Sequence, residues 1–281
     1  MNSPRLAVII CSKGRPHILA ETLASVMRQE VLPDEIILSV TSQDDLPADL
    51  SPEIRIVTGE AGLPRQLNRA LDALDSAVEF ILFLDDDVEL DTAYLREGIR
   101  ILQGEPGYAG IHGWVLRDEQ TTREDARNLL SVQEETPVLR PHPCRRLYGC
   151  NMLVRRAALE GFRFDERLPL YGWLFEIPFS RHLRRYGLLV KSRACRLVHL
   201  REESARLGGN RFGYAQIANP LYLFRQGALG AGEMIFRYML SALASNVIKA
   251  LSGSPERLRG NLLALGEWSD GHIDPQRILK L

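Results

Sequence analysis

Phe80-Ile-Leu-Phe-Leu-Asp85-Asp-Asp87 runs five apolar residues straight into three carboxylates. A run that is apolar at every position suits a strand covered on both faces, as in a parallel sheet. Three adjacent acids at a strand end repel one another, and a divalent cation relieves that repulsion. Hard oxygen donors suit Mg²⁺ or Mn²⁺, which bridge one or two carboxylates to substrate phosphates. In a turn after the strand, Asp85 and Asp87 can reach one ligand while Asp86 points elsewhere. The other reading of the triplet is a solvated acidic turn that opens the next helix.

Working outward, Leu6–Ile10 is a short strand that ends in the polar loop Ser12-Lys-Gly-Arg15-Pro16. Residues 17–29 place apolar side chains at Ile18, Leu19, Leu23, Val26 and Met27, a helical spacing. Further strands are expected over 35–40 and 54–57, and a helix over 63–74. Strands alternate with helices through residue 102, which argues for βαβ units and an open α/β sheet. Ligands in such sheets bind outside the carboxyl ends of the strands. Both polar clusters, Ser12–Arg15 and Asp85–Asp87, sit at such ends. Beyond, 113–116, 151–154, 188–190 and 196–199 read as extended and 178–186 as helical, with 121–143 as a loop or insertion.

The 281 residues allow one large domain or two small ones, and 45% apolar with 25% charged residues is an ordinary globular balance. A net charge of −1 argues against a globally basic nucleic-acid binder. The four cysteines form no Cys-x-x-Cys pair and read as reduced thiols of a cytoplasmic protein. The apolar run Leu6–Cys11 is too short for a signal peptide. In the mainly helical tail, Arg237, Ser241, Ser245 and Lys249 draw a polar stripe, leaving apolar faces with Met234, Ile235, Met239, Val247, Ile248 and Leu251. That is an amphipathic helix, expected to pack on the main domain, to dimerise, or to lie on a membrane surface at its inner face. Arg181 to Arg201 holds seven Lys or Arg and no acid, which favours anions or a solvated basic face.

Aspartyl-phosphate phosphatases also set Asp-x-Asp after an apolar strand, but with Thr or Val where this chain has Glu89, and normally on the first strand rather than the fourth. The ordered set of segments resembles the family 2 glycosyltransferases of GT-A fold. Val8 to Pro16 is similar to an opening strand ending in Thr-x-Asn-Arg-Pro, with Ser12 for Thr and Gly14 for Asn. Gly62 to Asn68 resembles a Gly-x-Ser-x-Ala-Arg-Asn segment, with Leu67 where Arg is usual. Phe80 to Val88 resembles the Asp-x-Asp segment. Gly149 to Arg156, then Gly161 to Glu166 with its Phe-Asp-Glu turn, resemble the acceptor-side strand.

The resemblance implies a GT-A-like open, mostly parallel α/β sheet over 1–215 and a helical extension over 216–281. It implies metal-dependent, inverting transfer of a sugar from a nucleoside-diphosphate donor to a hydroxyl of a polysaccharide or glycolipid. A divalent cation, Mn²⁺ or Mg²⁺, is the implied cofactor, with Asp85, Asp87 and His199 as its ligands. Ser12, Arg15, Arg65, Asn68, Asp85 and Asp86 are implied for the nucleotide-sugar. The family's general base belongs to a Glu-Asp-x-Asp-Phe stretch. Here the stretch is Phe175-Glu-Ile-Pro-Phe179, which puts Glu176 at the base position and loses the flanking acids. The family's nucleotide-binding Asp after the second strand is also missing, with Asp44 and Asp45 close by. A nucleotidyltransferase and a non-catalytic binding protein of the same fold stay open. The first would show a glycine-rich phosphate loop after the first strand, and Ser12–Arg15 has one glycine.

Overall fold

The computed structural model describes residues 5–132, 140–201 and 208–281. The chain divides into two compact units: residues 1–61, 65–163 and 179–205 form the first, and 62–64, 164–178 and 206–281 the second.

The first unit holds a nine-stranded sheet. Its strands are β1 (Leu6–Cys11), β2 (Glu35–Val40), β3 (Arg55–Thr58), β4 (Phe80–Asp85), β5 (Val88–Leu90), β6 (Tyr108–Asp118), β7 (His142–Cys144), β8 (Asn151–Arg155) and β9 (Leu188–His199). The order is β3-β2-β1-β4-β8-β6-β9-β5, and β7 pairs with β9. Pairing is parallel from β3 through β4, as the βαβ pattern requires. It turns antiparallel where β8 joins β4. The continuous apolar run of β4 is explained by this central place: every residue from Phe80 to Leu84 is at most 4% exposed.

Helices α1 (Pro16–Met27), α2 (Leu63–Asp72) and α3 (Tyr94–Gly104) follow β1, β3 and β5. Leu19, Leu23 and Val26 of α1 and Leu95, Ile99 and Leu102 of α3 join the sheet's main core. The expected loop over 121–143 contains a helix, α4 (Arg123–Ser131). Its cap is local, because Thr122 accepts from the Asp125 amide at 3.1 Å. Its buried face is two residues wide, Ala126 and Leu130, packed with Val198 and Leu200. The rest of that stretch, 133–139, lies outside the described residues. The extended pieces 188–190 and 196–199 are one strand, β9, whose pairing with β6 is interrupted by bulges. Bulges re-aim side chains and often sit beside sites.

The second unit is helical: α6 (Gly209–Arg225), a π-helical stretch Glu233–Leu240 that continues into α7 (Ser241–Leu251), and α8 (Glu256–Ser269). Tyr214, Ile217, Leu221, Met234, Met239 and Ala264 form its core. Helices α6 and α8 cross with backbones touching: a Cβ at Gly213 would meet the Arg257 carbonyl, and one at Gly260 the Asn210 carbonyl. A buried amide chain ties the bundle. Asn246 donates to Asn261 at 2.7 Å, and Asn261 donates to the Gly213 carbonyl at 2.6 Å.

Candidate metal centre

The acidic run divides by direction. Asp85 ends β4, where its amide donates to the Cys150 carbonyl at 3.1 Å. Asp87 is followed at once by β5, and its carbonyl accepts from the Leu200 amide at 2.9 Å. Val88 is in register with His199, so the ends of β5 and β9 bring the imidazole to the carboxylates. His199 Nε2 lies 3.3 Å from Asp87 Oδ1 and 3.8 Å from Asp85 Oδ2. One ligand atom from each of Asp85, Asp87 and His199 falls within 4.8 Å of the others. Two hard carboxylates and one imidazole suit a divalent cation such as Mn²⁺.

The other side of the ring is fixed as well. His199 Nδ1 donates to Asp118 Oδ1 at 2.8 Å. Asp118 in turn accepts two bonds from Arg201, at 2.6 and 2.9 Å, and one from Tyr148 at 2.6 Å. With Nδ1 occupied, Nε2 is the nitrogen left for a ligand role. Burial disfavours the charged imidazole, but Asp118, then Asp87 and Asp85, overcome it and raise the His199 pKa to about 10. Burial also opposes charge on Asp118, whose pKa is nevertheless held well below the carboxylate range by His199, Arg201 and Tyr148. Burial raises Asp85 to about 6, with the His199 charge opposing and Asp87 adding to the rise. Arg201 sits at φ 53°, a strained position for a non-glycine residue and one that follows the histidine closely.

Asp86, implied for the nucleotide-sugar, has protein partners of its own. It is 1% exposed, is ion-paired with Arg15, and accepts from the Ser12 hydroxyl at 2.5 Å. Asp86 opens the turn between β4 and β5, and these contacts hold its carboxylate away from His199. Arg15 is committed to the same turn, with its second nitrogen 3.8 Å from Asp87. Ser12 is 2% exposed, and its carbonyl accepts from Gln66 at 3.1 Å. These three residues brace the turn from behind. Thr22 of α1 adds a bond to the Asp86 carbonyl at 2.5 Å, and Arg123 of α4 one to the Val88 carbonyl, also at 2.5 Å. Buried Glu89 is ion-paired with Arg28 and Arg123.

Asn68 is 3% exposed within α2, and Arg65 pairs with Glu60 at the surface. Asp45 accepts from the amides of Gly14, Thr41 and Ser42 at 2.6 to 3.0 Å, so it shapes the loop after β1. The basic stretch is dispersed: Arg196 pairs with Asp91, Arg201 with Asp118, while Lys191 and Arg193 lie against Trp114.

Glu176 belongs to the second unit, where it opens α5 (Glu176–Leu183) and is half-buried. The segment before it is contorted, with Leu170, Gly172 and Leu174 at φ 57°, 61° and 74°. Within that unit the segment is pinned. Trp173 packs on Phe212 and Tyr238, its carbonyl accepts from Asn219 at 2.8 Å, and Gly172 lies so near Pro64 that a Cβ would approach to 2.9 Å.

Sequence reasoning missed Asp118, Tyr148 and Arg201. Asp118 carries no signal of its own, since its partners stand 81, 30 and 83 residues away.

Comparison with known proteins agrees with this geometry. A search of curated proteins finds no match. Among solved structures, GalNAc-T7 with UDP, GalNAc and Mn²⁺ is similar with a TM-score of 0.53 at 13% identity, over 70% of this chain and 44% of that one. TarS 1-349 of S. aureus with UDP-GlcNAc gives 0.51 at 14%, over 78% and 66%. Glucosyl-3-phosphoglycerate synthase of Mycobacterium tuberculosis with Mn²⁺, UDP and phosphoglyceric acid gives 0.52 at 14%, over 82% and 81%. This chain thus spans less than half of the GalNAc-T7 chain and just under two thirds of the TarS fragment. At such identities the likeness shows the fold, the GT-A architecture. The family model "Glycosyl transferase family 2" matches residues 7–162, more than half of the chain, so the protein belongs to glycosyltransferase family 2.

Proposed function

We propose that this protein transfers a sugar from a nucleoside-diphosphate donor to a hydroxyl of a polysaccharide or glycolipid, with inversion at the anomeric carbon. The observation that carries the reading is the Asp85–Asp87–His199 group at the end of the central strand. These three residues would hold a divalent cation, which supplies charge against the diphosphate leaving group. Neighbours of the same fold crystallised with Mn²⁺ and UDP favour Mn²⁺ and a uridine donor.

Glu176 is the base. It takes the proton from the acceptor hydroxyl as that oxygen attacks the anomeric carbon, and the bond to the nucleoside diphosphate breaks on the opposite side. Glu176 opens α5 between the buried side chains of Phe175 and Ile177. A nucleotidyltransferase is disfavoured because the loop after β1 has one glycine and its Arg15 is turned onto Asp86 and Asp87.

The test is a thermal-shift panel of UDP-, GDP- and dTDP-sugars with and without Mn²⁺, followed by transfer assays on Glu176→Gln. The reading expects a metal-dependent shift with one donor class, and a variant that binds donor but transfers nothing. Full turnover by Glu176→Gln overturns the base; a donor shift indifferent to Mn²⁺ overturns the metal.

A further inference from the structure

The helix Glu233–Leu251 is, among the described residues, the one long and apolar enough to cross a membrane by length and composition. Its inner face is already committed. Met234, Met239, Ala242 and Asn246 are buried against the second unit's own core and amide chain. Its outer face is apolar too: Phe236 is 71% exposed, Leu240 48%, Ile248 66% and Leu251 85%. Residues 236, 240, 244, 248 and 251 recur at helical spacing, so these side chains form one stripe along the helix. Folding leaves this stripe in water although the chain has an interior to offer. Contiguous exposed apolar surface of that kind marks an interaction site.

The charges beside the stripe say what covers it. Arg237 and Lys249 are exposed and make no ion pair among the described residues. From residue 225 to 255 the cations are Arg225, Arg237 and Lys249, and the one acid is Glu233, which is half-buried. A second copy laid on the stripe would set these cations against their equivalents with no exposed acid of the helix itself between them. An anionic surface with an apolar interior meets both features. The stripe enters the acyl boundary while Arg and Lys reach to the headgroups.

We propose that the outer face of Glu233–Leu251 docks the protein in the plane of an anionic lipid membrane, through Phe236, Leu240, Ile248 and Leu251, with Arg237 and Lys249 on lipid phosphates. The helix lies on the bilayer and does not cross it, because Asn246, Met234 and Met239 stay in the protein core. This proposal stands without the sugar-transfer reading, and its test uses no activity.

The experiment is co-sedimentation of the full chain with phosphatidylcholine vesicles, with and without phosphatidylglycerol. The expected result is binding to the anionic vesicles and little to the neutral ones. Phe236→Ser with Ile248→Ser, both solvent-facing, should weaken binding about tenfold or more per residue and leave the melting temperature unchanged. Arg237→Gln and Lys249→Gln should each cost about fivefold. Three results overturn the proposal: no binding to anionic vesicles, equal binding by the double serine variant, or a dimer in solution that the serine variant dissolves.

Discussion

His199 and Asp118 sit on neighbouring strands with Nδ1 and Oδ1 2.8 Å apart, and this bond decides which nitrogen of the imidazole faces Asp85 and Asp87. Asp118→Asn removes the charge that aligns the ring and places an amide opposite Arg201. Loss of such a supporting carboxylate lowers metal affinity by about 10- to 100-fold. Electron paramagnetic resonance of free Mn²⁺ should register that loss, while the ion-free protein melts as a folded chain.

The Arg15–Asp86 pair makes a prediction of the opposite kind, in stability. Asp86 is 1% exposed, so Arg15→Met strands a buried carboxylate, at a cost of about 3 kcal/mol. Adding Asp86→Asn removes the stranded charge and should recover part of the loss. Urea unfolding of the two variants checks this, and equal stability of Arg15→Met and the wild type would place the pair outside the folding balance.

His112 supplies a pH dependence. It is 8% exposed, and burial, then the Lys191 charge, lower its pKa to about 4 against a favourable contact with the Gly113 backbone. Below pH 6.5 the unfolded chain takes up a proton that the folded chain refuses. Stability from this group is full above pH 6.5 and declines as pH falls toward 4, by roughly 3 kcal/mol in all. His112→Gln should flatten that part of the stability profile, measured by urea midpoints at a series of pH values.

The crossing of α6 on α8 leaves no room for a methyl group. Gly260→Ala sets a Cβ against the Asn210 carbonyl and should destabilise the second unit by about 2 kcal/mol. A calorimetric scan should show the loss, whereas Gly266→Ala on the same helix, where a Cβ meets nothing, should be neutral or stabilising.

Elements with a strong local pattern were legible in the sequence. β2 is read over its whole length, and β1, β3 and β4 within a residue at either end, because β1, β2 and β4 carry apolar runs and β3 a β-branched pair, Ile56-Val57, closed by Thr58 and Gly59. Helix α4 escaped because Arg123, Glu124 and Asp125 mask a buried face of only Ala126 and Leu130. Strand β9 was split because Ser192 to Ala194 breaks the apolar run where the bulge lies. The acids that could hold a metal were legible from type and place, since Asp85 ends the central strand and Asp87 follows it. Asp86 was not separable from them by residue type. Its burial comes from Arg15 and Ser12, 71 and 74 residues earlier, which no local pattern relates to it.

The different partners of Asp86 and of its two neighbours have a consequence for changes in chain length. One residue more or fewer in this turn would part Asp86 from Ser12 and Arg15 and break the approach of Asp85 and Asp87 to His199. The chemistry-bearing residue types would still be present, yet their grouping would be gone. A deletion or insertion scan of the gene should therefore find an intolerant window from Phe80 to Leu90. That window would mark the site by its frame, without any knowledge of which side chains do chemistry.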